Sequence, residues 1–207
     1  MMNKKNITIN PSFLILLTIC LFGGFLEESL ILLTMLSMHE IGHLTFIFIF
    51  KNKIEKINIT AIGCFIEIEK KHFQPFYEKL LISLGGILMN FVVILFSLII
   101  KNDLSTFIIK VNFLLIVTNI LPIYPLDGFQ IIFNIMTLFY DDEYVIDFLS
   151  IISYVFIAVI SIVSFIYRAY GFMVISALLA YKTFRFKHNS RIISLKNRLQ
   201  FRQKFLN

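Results

Sequence analysis

Residues 29–50 read SLILLTMLSMHEIGHLTFIFIF, an apolar run that contains His39, Glu40 and His43. A helix needs about 20 apolar residues to cross about 30 Å of hydrocarbon, so this run is long enough to span a bilayer. Ionisable side chains inside a span cost about 2.5–3.5 kcal/mol each on insertion scales and rarely persist without a function. The run therefore predicts a transmembrane helix that carries a functional site.

The rest of the chain is similarly apolar, since 58% of its 207 residues are hydrophobic and 15% are charged. This composition excludes an ordinary soluble domain. Apolar runs recur as far as Ala180, so the first run is not merely a signal peptide. We predict an all-α polytopic membrane protein with about six transmembrane helices, near residues 12–26, 29–50, 79–100, 104–137, 145–167 and 171–183. We expect residues 1–183 to form the membrane domain and residues 184–207 to form a basic, amphipathic cytoplasmic tail.

Two segments depart from a simple span. Pro122 and Pro125 interrupt the long fourth run, and proline removes a backbone donor, so we expect that helix to break. Between spans two and three, residues 54–69 alternate apolar and polar side chains around Gly63. The alternation predicts two short strands, a small β-hairpin or sheet at the membrane interface. Two interpretations fit this pattern. One is an ordinary hairpin that covers a loop, and the other is a sheet whose open edge can bind a partner.

The basic residues predict the orientation. If the N-terminus is inside, sixteen of the nineteen Lys and Arg residues fall in cytoplasmic segments, including six lysines between Lys51 and Lys79 and eight basic residues from Lys182 onward. The positive-inside rule then places both termini of this multi-pass protein in the cytoplasm. The net charge of +6 reflects this topology, and we expect no nucleic-acid partner.

His39, Glu40 and His43 have the spacing of a zinc site. Positions i and i+4 share one helix face, so both imidazoles can ligate one Zn²⁺, and Glu40 can reach the water on the metal as general base. The alternative is a purely structural role, in which the two histidines pack between helices and the glutamate side chain extends to the membrane surface.

A catalytic zinc ion commonly has three protein ligands, so two histidines leave one position to fill. Asp127 is the best candidate because it lies at the proline break, where only a buried polar site tolerates unwound backbone. Its alternative role is an N-cap for the helix that restarts at Gly128. The other acidic candidates fall at predicted span ends or in loops: Asp103, Asp141, Asp142, Glu143 and Asp147.

Three motifs together resemble the site-2 protease family of intramembrane metalloproteases. They are the HExxH at His39, the Gly-x-x-x-Asn element of Gly86 and Asn90, and the Asn-x-x-Pro-x-x-Pro-x-Asp-Gly element that begins at Asn119. Within the family, HEIGH and PIYPLDG resemble the stage IV sporulation branch, which cleaves a membrane-tethered sigma-factor precursor. One departure is that Phe129 and Gln130 stand where many relatives have a glycine and a basic residue.

The resemblance implies an intramembrane zinc metalloprotease with one Zn²⁺ per chain. His39, His43 and Asp127 correspond to the metal ligands, Glu40 to the catalytic base, and Asn119 to a polar group that helps the substrate or transition state. It further implies a membrane-tethered protein substrate, a role in sporulation, and regulatory membrane proteins as partners. Asn90 has either a direct role or an interhelical hydrogen bond beside Gly86.

Two other functions compete with the protease. A metal-ion transporter predicts several sites along a pathway, whereas only His39 and His43 lie in spans. A non-catalytic membrane scaffold that retains the motif is the second alternative. The sequence leaves the substrate's identity, the cleavage site and the oligomeric state open.

Overall fold

The computed structural model describes residues 7–11, 18, 26–60, 63–69, 74–100 and 102–206. These residues form a mostly helical protein with a small sheet, which confirms the predicted fold class. The predicted first span, at about 12–26, lies almost entirely outside the described residues. The helices are α1 (Leu26–Ile49), α2 (Phe76–Ile99), α3 (Asp103–Ile120), α4 (Asp127–Met136), α5 (Asp142–Ile166) and α6 (Tyr170–Leu206), and the strands are β1 (Ile7–Ile9), β2 (Ile54–Thr60) and β3 (Gly63–Ile68).

Four of the described helices, α1, α2, α3 and α5, are long and apolar enough to cross a membrane. They correspond to the predicted second to fifth spans. Their outward side chains are large and apolar, and Ile99, Phe96 and Phe165 expose 76%, 66% and 69% of their surface. Such a surface suits hydrocarbon rather than water, because monomeric soluble proteins rarely expose broad apolar patches.

The fourth predicted span breaks where the prolines lie. Helix α3 ends at Ile120 and α4 begins at Asp127, with a non-helical loop over residues 121–126 between them. Proline ends a helix by removing a donor and by clashing with the preceding turn, so the cause of the break is the one that the sequence indicates.

The chain divides into two compact units, Met1–Thr118 and Asn119–Asn207. In the first unit, α1 and α2 cross in close backbone contact. A Cβ atom added to Gly85 would lie 2.6 Å from the carbonyl oxygen of Gly42 and 3.0 Å from the Cα of His43. Small residues allow this approach between apolar helices. The crossing brings the His43 turn of α1 directly against α2.

The sheet also belongs to the first unit and has the strand order β1-β2-β3. Strands β2 and β3 form the predicted antiparallel hairpin, with Ile57 opposite Ile66. Strand β1 pairs in parallel with β2, with Ile7 opposite Ile57. The third strand was not predicted, because the three residues of β1 are too few for alternation to be distinctive.

The second unit has its core where Phe129, Val145 and Leu149 are fully buried. Helix α6 runs for 37 residues and passes the predicted boundary at residue 183 without a break. Its middle is joined to α5 by ion pairs, since Asp147 receives both the Lys187 ammonium at 3.0 Å and the Arg191 guanidinium at 2.9 Å. The predicted sixth span thus forms the first part of a longer helix. That residues 184–207 form a separate cytoplasmic tail stays a prediction.

Candidate metal centre

His39 and His43 lie one turn apart on the face of α1 that packs against α2. Their Nε2 atoms are 3.2 Å apart and their rings meet at 81°. His39 is 3% exposed and His43 is half-buried. The i, i+4 spacing therefore directs both imidazoles to one point, as the sequence predicts.

The other ring nitrogens are held from α2. The Nδ1 atom of His43 lies 2.7 Å from the carbonyl oxygen of Ile82. A carbonyl oxygen only accepts, so Nδ1–H is the donor and the Nε2 atom of a neutral His43 keeps its lone pair. Metal-ligating histidines usually have their second nitrogen held in this way. The Nδ1 atom of His39 lies 3.1 Å from the Nδ2 atom of Asn90.

Gly86 provides the space that the two rings occupy. A Cβ atom at this position would lie 2.5 Å from the Nε2 atom of each histidine. Contacts between real Cβ atoms and their neighbours are essentially never this short. The glycine of the Gly-x-x-x-Asn element is therefore needed at this position because any side chain would displace the imidazoles.

These residues fit a zinc ion. Two nitrogens bound to one tetrahedral zinc ion at about 2.0–2.1 Å lie about 3.3 Å from each other, and the observed separation of the Nε2 atoms is 3.2 Å. Glu40 follows His39 on α1 and is half-buried. The first unit thus brings together His39, His43, Gly86 and Asn90 beside the proposed base.

Asn119 and Asp127 lie on either side of the helix break in the second unit. Asn119 is in the last turn of α3, and Asp127 is the first residue of α4. A Cβ atom at Gly128 would overlap the carbonyl of Ile120 and lie 2.6 Å from the oxygen of Leu121. The Asp-Gly pair therefore lets α4 start in close contact with the end of α3.

The alternative role of Asp127 as an N-cap is not realised. Leu126 occupies the cap position and its side chain makes no capping hydrogen bond. Asp127 lies one residue later, within the first turn of the helix. The carboxylate has a favourable place near the positive end of the helix dipole, one position after the N-cap residue.

Two hydroxyl groups hold the loop before Asp127. The Oγ atom of Ser153 accepts the Tyr124 N–H at 3.3 Å, and its proton is shared between the carbonyls of Pro122 at 2.9 Å and Leu149 at 2.8 Å. Thr183 donates to the carbonyl of Tyr124 at 3.2 Å. Sequence reasoning missed both residues, although a polar residue within an apolar run is a signal for such a contact.

The ring of Tyr124 is held as well. It stacks on Phe186 of α6 with centroids 4.2 Å apart, and it meets Phe129 of α4 edge-on at 5.5 Å. The loop is thus fixed between α4, α5 and α6. This packing orients the start of α4, where Asp127 lies.

We expect Ser153→Ala to lower the free energy of unfolding by about 1–3 kcal/mol, because it removes the hydrogen bonds that join the Ser153 hydroxyl to the half-buried loop groups of Pro122 and Tyr124. Denaturant titration in detergent measures the change. Ser150→Ala is the matched control, since this buried hydroxyl on the same helix donates to the carbonyl of Ile146, one turn earlier, and to no loop group in the part of the chain that the structure describes. Equal losses for the two variants would show that Ser153 does not hold the loop.

The remaining acidic candidates lie at helix ends, as expected, except that Asp147 lies within α5 and forms ion pairs. Asp103 is the first residue of α3, and Asp142 and Glu143 are in the first turn of α5. Asp141 precedes that helix at its N-cap position. Asp147 is committed to Lys187 and Arg191. Each of these carboxylates therefore has a structural position that needs no metal.

Comparison with solved structures identifies a protein of the same architecture. The structure superposes on the site-2 protease from Methanocaldococcus jannaschii with a TM-score of 0.68 and 18% identity, over 90% of this chain and 94% of that chain. The two chains share one fold. The resemblance predicted from the three motifs is confirmed at this level.

Sequence comparison finds a relative among sporulation proteins. The chain is 25% identical over 134 residues to stage IV sporulation protein FB of Bacillus subtilis (strain 168), which covers 61% of this chain and 46% of that protein. The chain therefore spans less than half the length of this curated relative. No family model matches the chain.

Proposed function

We propose that this protein is an intramembrane zinc metalloprotease of the site-2 protease type. The observation that carries the proposal is the pair of imidazoles on α1, with Nε2 atoms 3.2 Å apart and with the Nδ1 of His43 held by Ile82. This pair lies in a helix that is long and apolar enough to cross a membrane. The fold shared with a site-2 protease supports the same function.

One zinc ion per chain would be held by the Nε2 atoms of His39 and His43 and by the carboxylate of Asp127. The third ligand is proposed from the sequence, because a catalytic zinc site commonly has three protein ligands. When bound there, zinc would lower the pKa of a water molecule to about 7 and would polarise the scissile carbonyl.

The chain's own residues then move the protons. Glu40 takes a proton from the attacking water and later delivers it to the leaving amine, as a general base and then a general acid. Asn119 donates an amide N–H to the oxyanion that develops on the scissile carbonyl. Both roles depend on a site from which bulk water is largely excluded, because electrostatic interactions strengthen there.

The substrate in this proposal is a membrane-tethered protein. A transmembrane helix hides its amides, so the scissile segment must become extended before hydrolysis. The outer edge of β3 pairs with no further strand among the described residues, and an extended segment can add to such an edge through main-chain hydrogen bonds. We propose that the β3 edge holds the substrate in this way.

The resemblance of HEIGH and PIYPLDG to the stage IV sporulation branch supports a narrower proposal, in which the substrate is a sigma-factor precursor and regulatory membrane proteins control its access. The curated relative is itself a stage IV sporulation protein. We further propose that both termini and the sheet face the cytoplasm, since sixteen of the nineteen basic residues then lie on that side. A product released on that side can act in transcription.

Metal removal tests the proposed function. Membranes that contain the protein and a membrane-tethered sigma-factor precursor are expected to release a shorter product, which immunoblotting detects. A zinc chelator should abolish the release, and added Zn²⁺ should restore it, because the proposed mechanism relies on the zinc ion as its Lewis acid. Release that continues after the zinc content has fallen to zero would contradict the proposal.

A further inference from the structure

Asn90 makes a polar contact from α2 to His39. It is fully buried, and its Nδ2 atom lies 3.1 Å from the Nδ1 atom of His39. Its Oδ1 atom is also buried and has no hydrogen-bond partner among the described residues. Burying a carboxamide oxygen without a hydrogen bond is costly, so its presence at this position needs an explanation.

The directions of the hydrogen bonds can be assigned from Ile82. Its carbonyl accepts from His43 Nδ1–H, so the Nε2 atom of His43 has a lone pair. The Nε2 atom of His39, 3.2 Å away, then donates to that lone pair. A neutral His39 with its proton on Nε2 has a lone pair on Nδ1, which accepts from the Nδ2–H of Asn90. The four groups form one consistent chain from Asn90 to Ile82.

Ligation of a metal by both Nε2 atoms requires a different arrangement at His39. Its Nε2 atom must then offer a lone pair, so the proton of the neutral ring moves to Nδ1. Nδ1–H needs an acceptor, and an NH₂ group cannot accept. The two ends of a carboxamide have nearly the same shape, so a half-turn of the Asn90 side chain places Oδ1 at this nitrogen without repacking the helices.

We propose that Asn90 is a positioning residue whose carboxamide turns over when zinc binds, so that its oxygen holds the His39 tautomer that ligates. This inference rests on the proposed function. The proton moves from Nε2 to Nδ1 of the same ring, so the ring gains and loses no net proton. The contact between Asn90 and His39 therefore selects which nitrogen of His39 offers its lone pair to the metal, and the two orientations correspond to the two tautomers.

Zinc affinity of the purified full chain tests the proposal, measured by competition with a chelator of known affinity. Asn90→Leu removes the acceptor and is expected to weaken zinc binding by about 10–100-fold, the usual effect of losing a group that orients a ligand. Asn90→Asp is expected to retain the affinity, because a carboxylate accepts from Nδ1–H in either orientation. Asn112→Leu is the matched control, since this asparagine is equally buried and, among the described residues, donates to the carbonyl of Ile108 in its own helix rather than to a histidine.

Nitrogen-15 spectra of the imidazoles give a second readout that does not depend on variants of Asn90. A background with His72→Gln and His188→Gln leaves only His39 and His43 of the four histidines. In metal-free protein, His39 is expected to carry its proton on Nε2, and after addition of Zn²⁺ it should carry it on Nδ1. His43 should carry its proton on Nδ1 in both states, because Ile82 fixes it.

The outcomes separate this inference from the proposed function. Wild-type affinity in Asn90→Leu, or equal losses in Asn90→Leu and Asn90→Asp, would overturn the role of Asn90 while leaving the zinc site intact. An unchanged His39 tautomer on zinc addition would do the same. A wild-type protein that binds no zinc would overturn the proposed function and this inference with it.

Discussion

Glu40→Gln is expected to retain zinc and to slow hydrolysis by about 10²–10⁴-fold, the usual contribution of a general base. The amide of glutamine has nearly the shape of the carboxylate but cannot take a proton from water. The zinc content should stay at wild-type stoichiometry, because the proposed ligands are His39, His43 and Asp127. Immunoblotting of precursor and product measures the hydrolysis rate, and elemental analysis of the purified protein measures the zinc.

The control for this variant is Glu28→Gln. Glu28 lies on the same helix, α1, in its exposed first turn, so its substitution removes one negative charge without touching the histidines. We expect wild-type cleavage from this control. Cleavage at the wild-type rate by Glu40→Gln would rule out Glu40 as the base, and loss of zinc from the same variant would show that Glu40 supports the metal rather than the water.

The features that could be predicted from the sequence are those encoded within a short stretch. The spacing of His39 and His43 fixes a shared helix face, and Pro122 and Pro125 fix the end of α3. The alternation over residues 54–69 specifies the β2–β3 hairpin. Each of these patterns acts on neighbouring residues, so local stereochemistry decides the outcome.

The features that could not be predicted depend on residues far apart in the chain. Gly42 meets Gly85 across two helices, and Asn90 meets His39 from 51 positions away. Ser153 and Thr183 reach the loop around Tyr124 from two other helices. Nothing local in the sequence specifies these pairs, because tertiary packing decides which polar group in one span faces which group in another.

The loop over residues 121–126 shows how the two kinds of information combine. The sequence indicates that the helix breaks, but unwound backbone in a membrane protein must be satisfied by neighbouring protein. Ser153 and Thr183 supply those hydrogen bonds, and Phe186 covers Tyr124. The break is therefore a packed element that holds the start of α4, and substitutions in α5 and α6 should affect Asp127 indirectly.

Asp127→Ala is expected to weaken zinc binding by more than about 100-fold, beyond the range of about 10–100-fold for groups that only orient a ligand. Two histidines alone leave the ion one protein ligand short of the usual three. Asp127→Asn should also lose affinity, because it keeps the shape of the side chain and replaces the anionic ligand by a neutral amide. Zinc affinity is measured by chelator competition, and hydrolysis should fall in parallel with it.

Asp142→Ala is the matched control, because Asp142 is the first residue of α5 just as Asp127 is the first residue of α4. Each substitution removes a carboxylate from a helix N-terminus, which costs about 0.3–1 kcal/mol of helix stabilisation. Asp142 is exposed, so its removal should leave zinc affinity unchanged. If Asp127→Ala and Asp142→Ala both bound zinc as tightly as the wild type, the third ligand would have to be another group. A loss confined to the Asp127 variants, with equal stability of the metal-free proteins, is the result that the proposed ligand set requires.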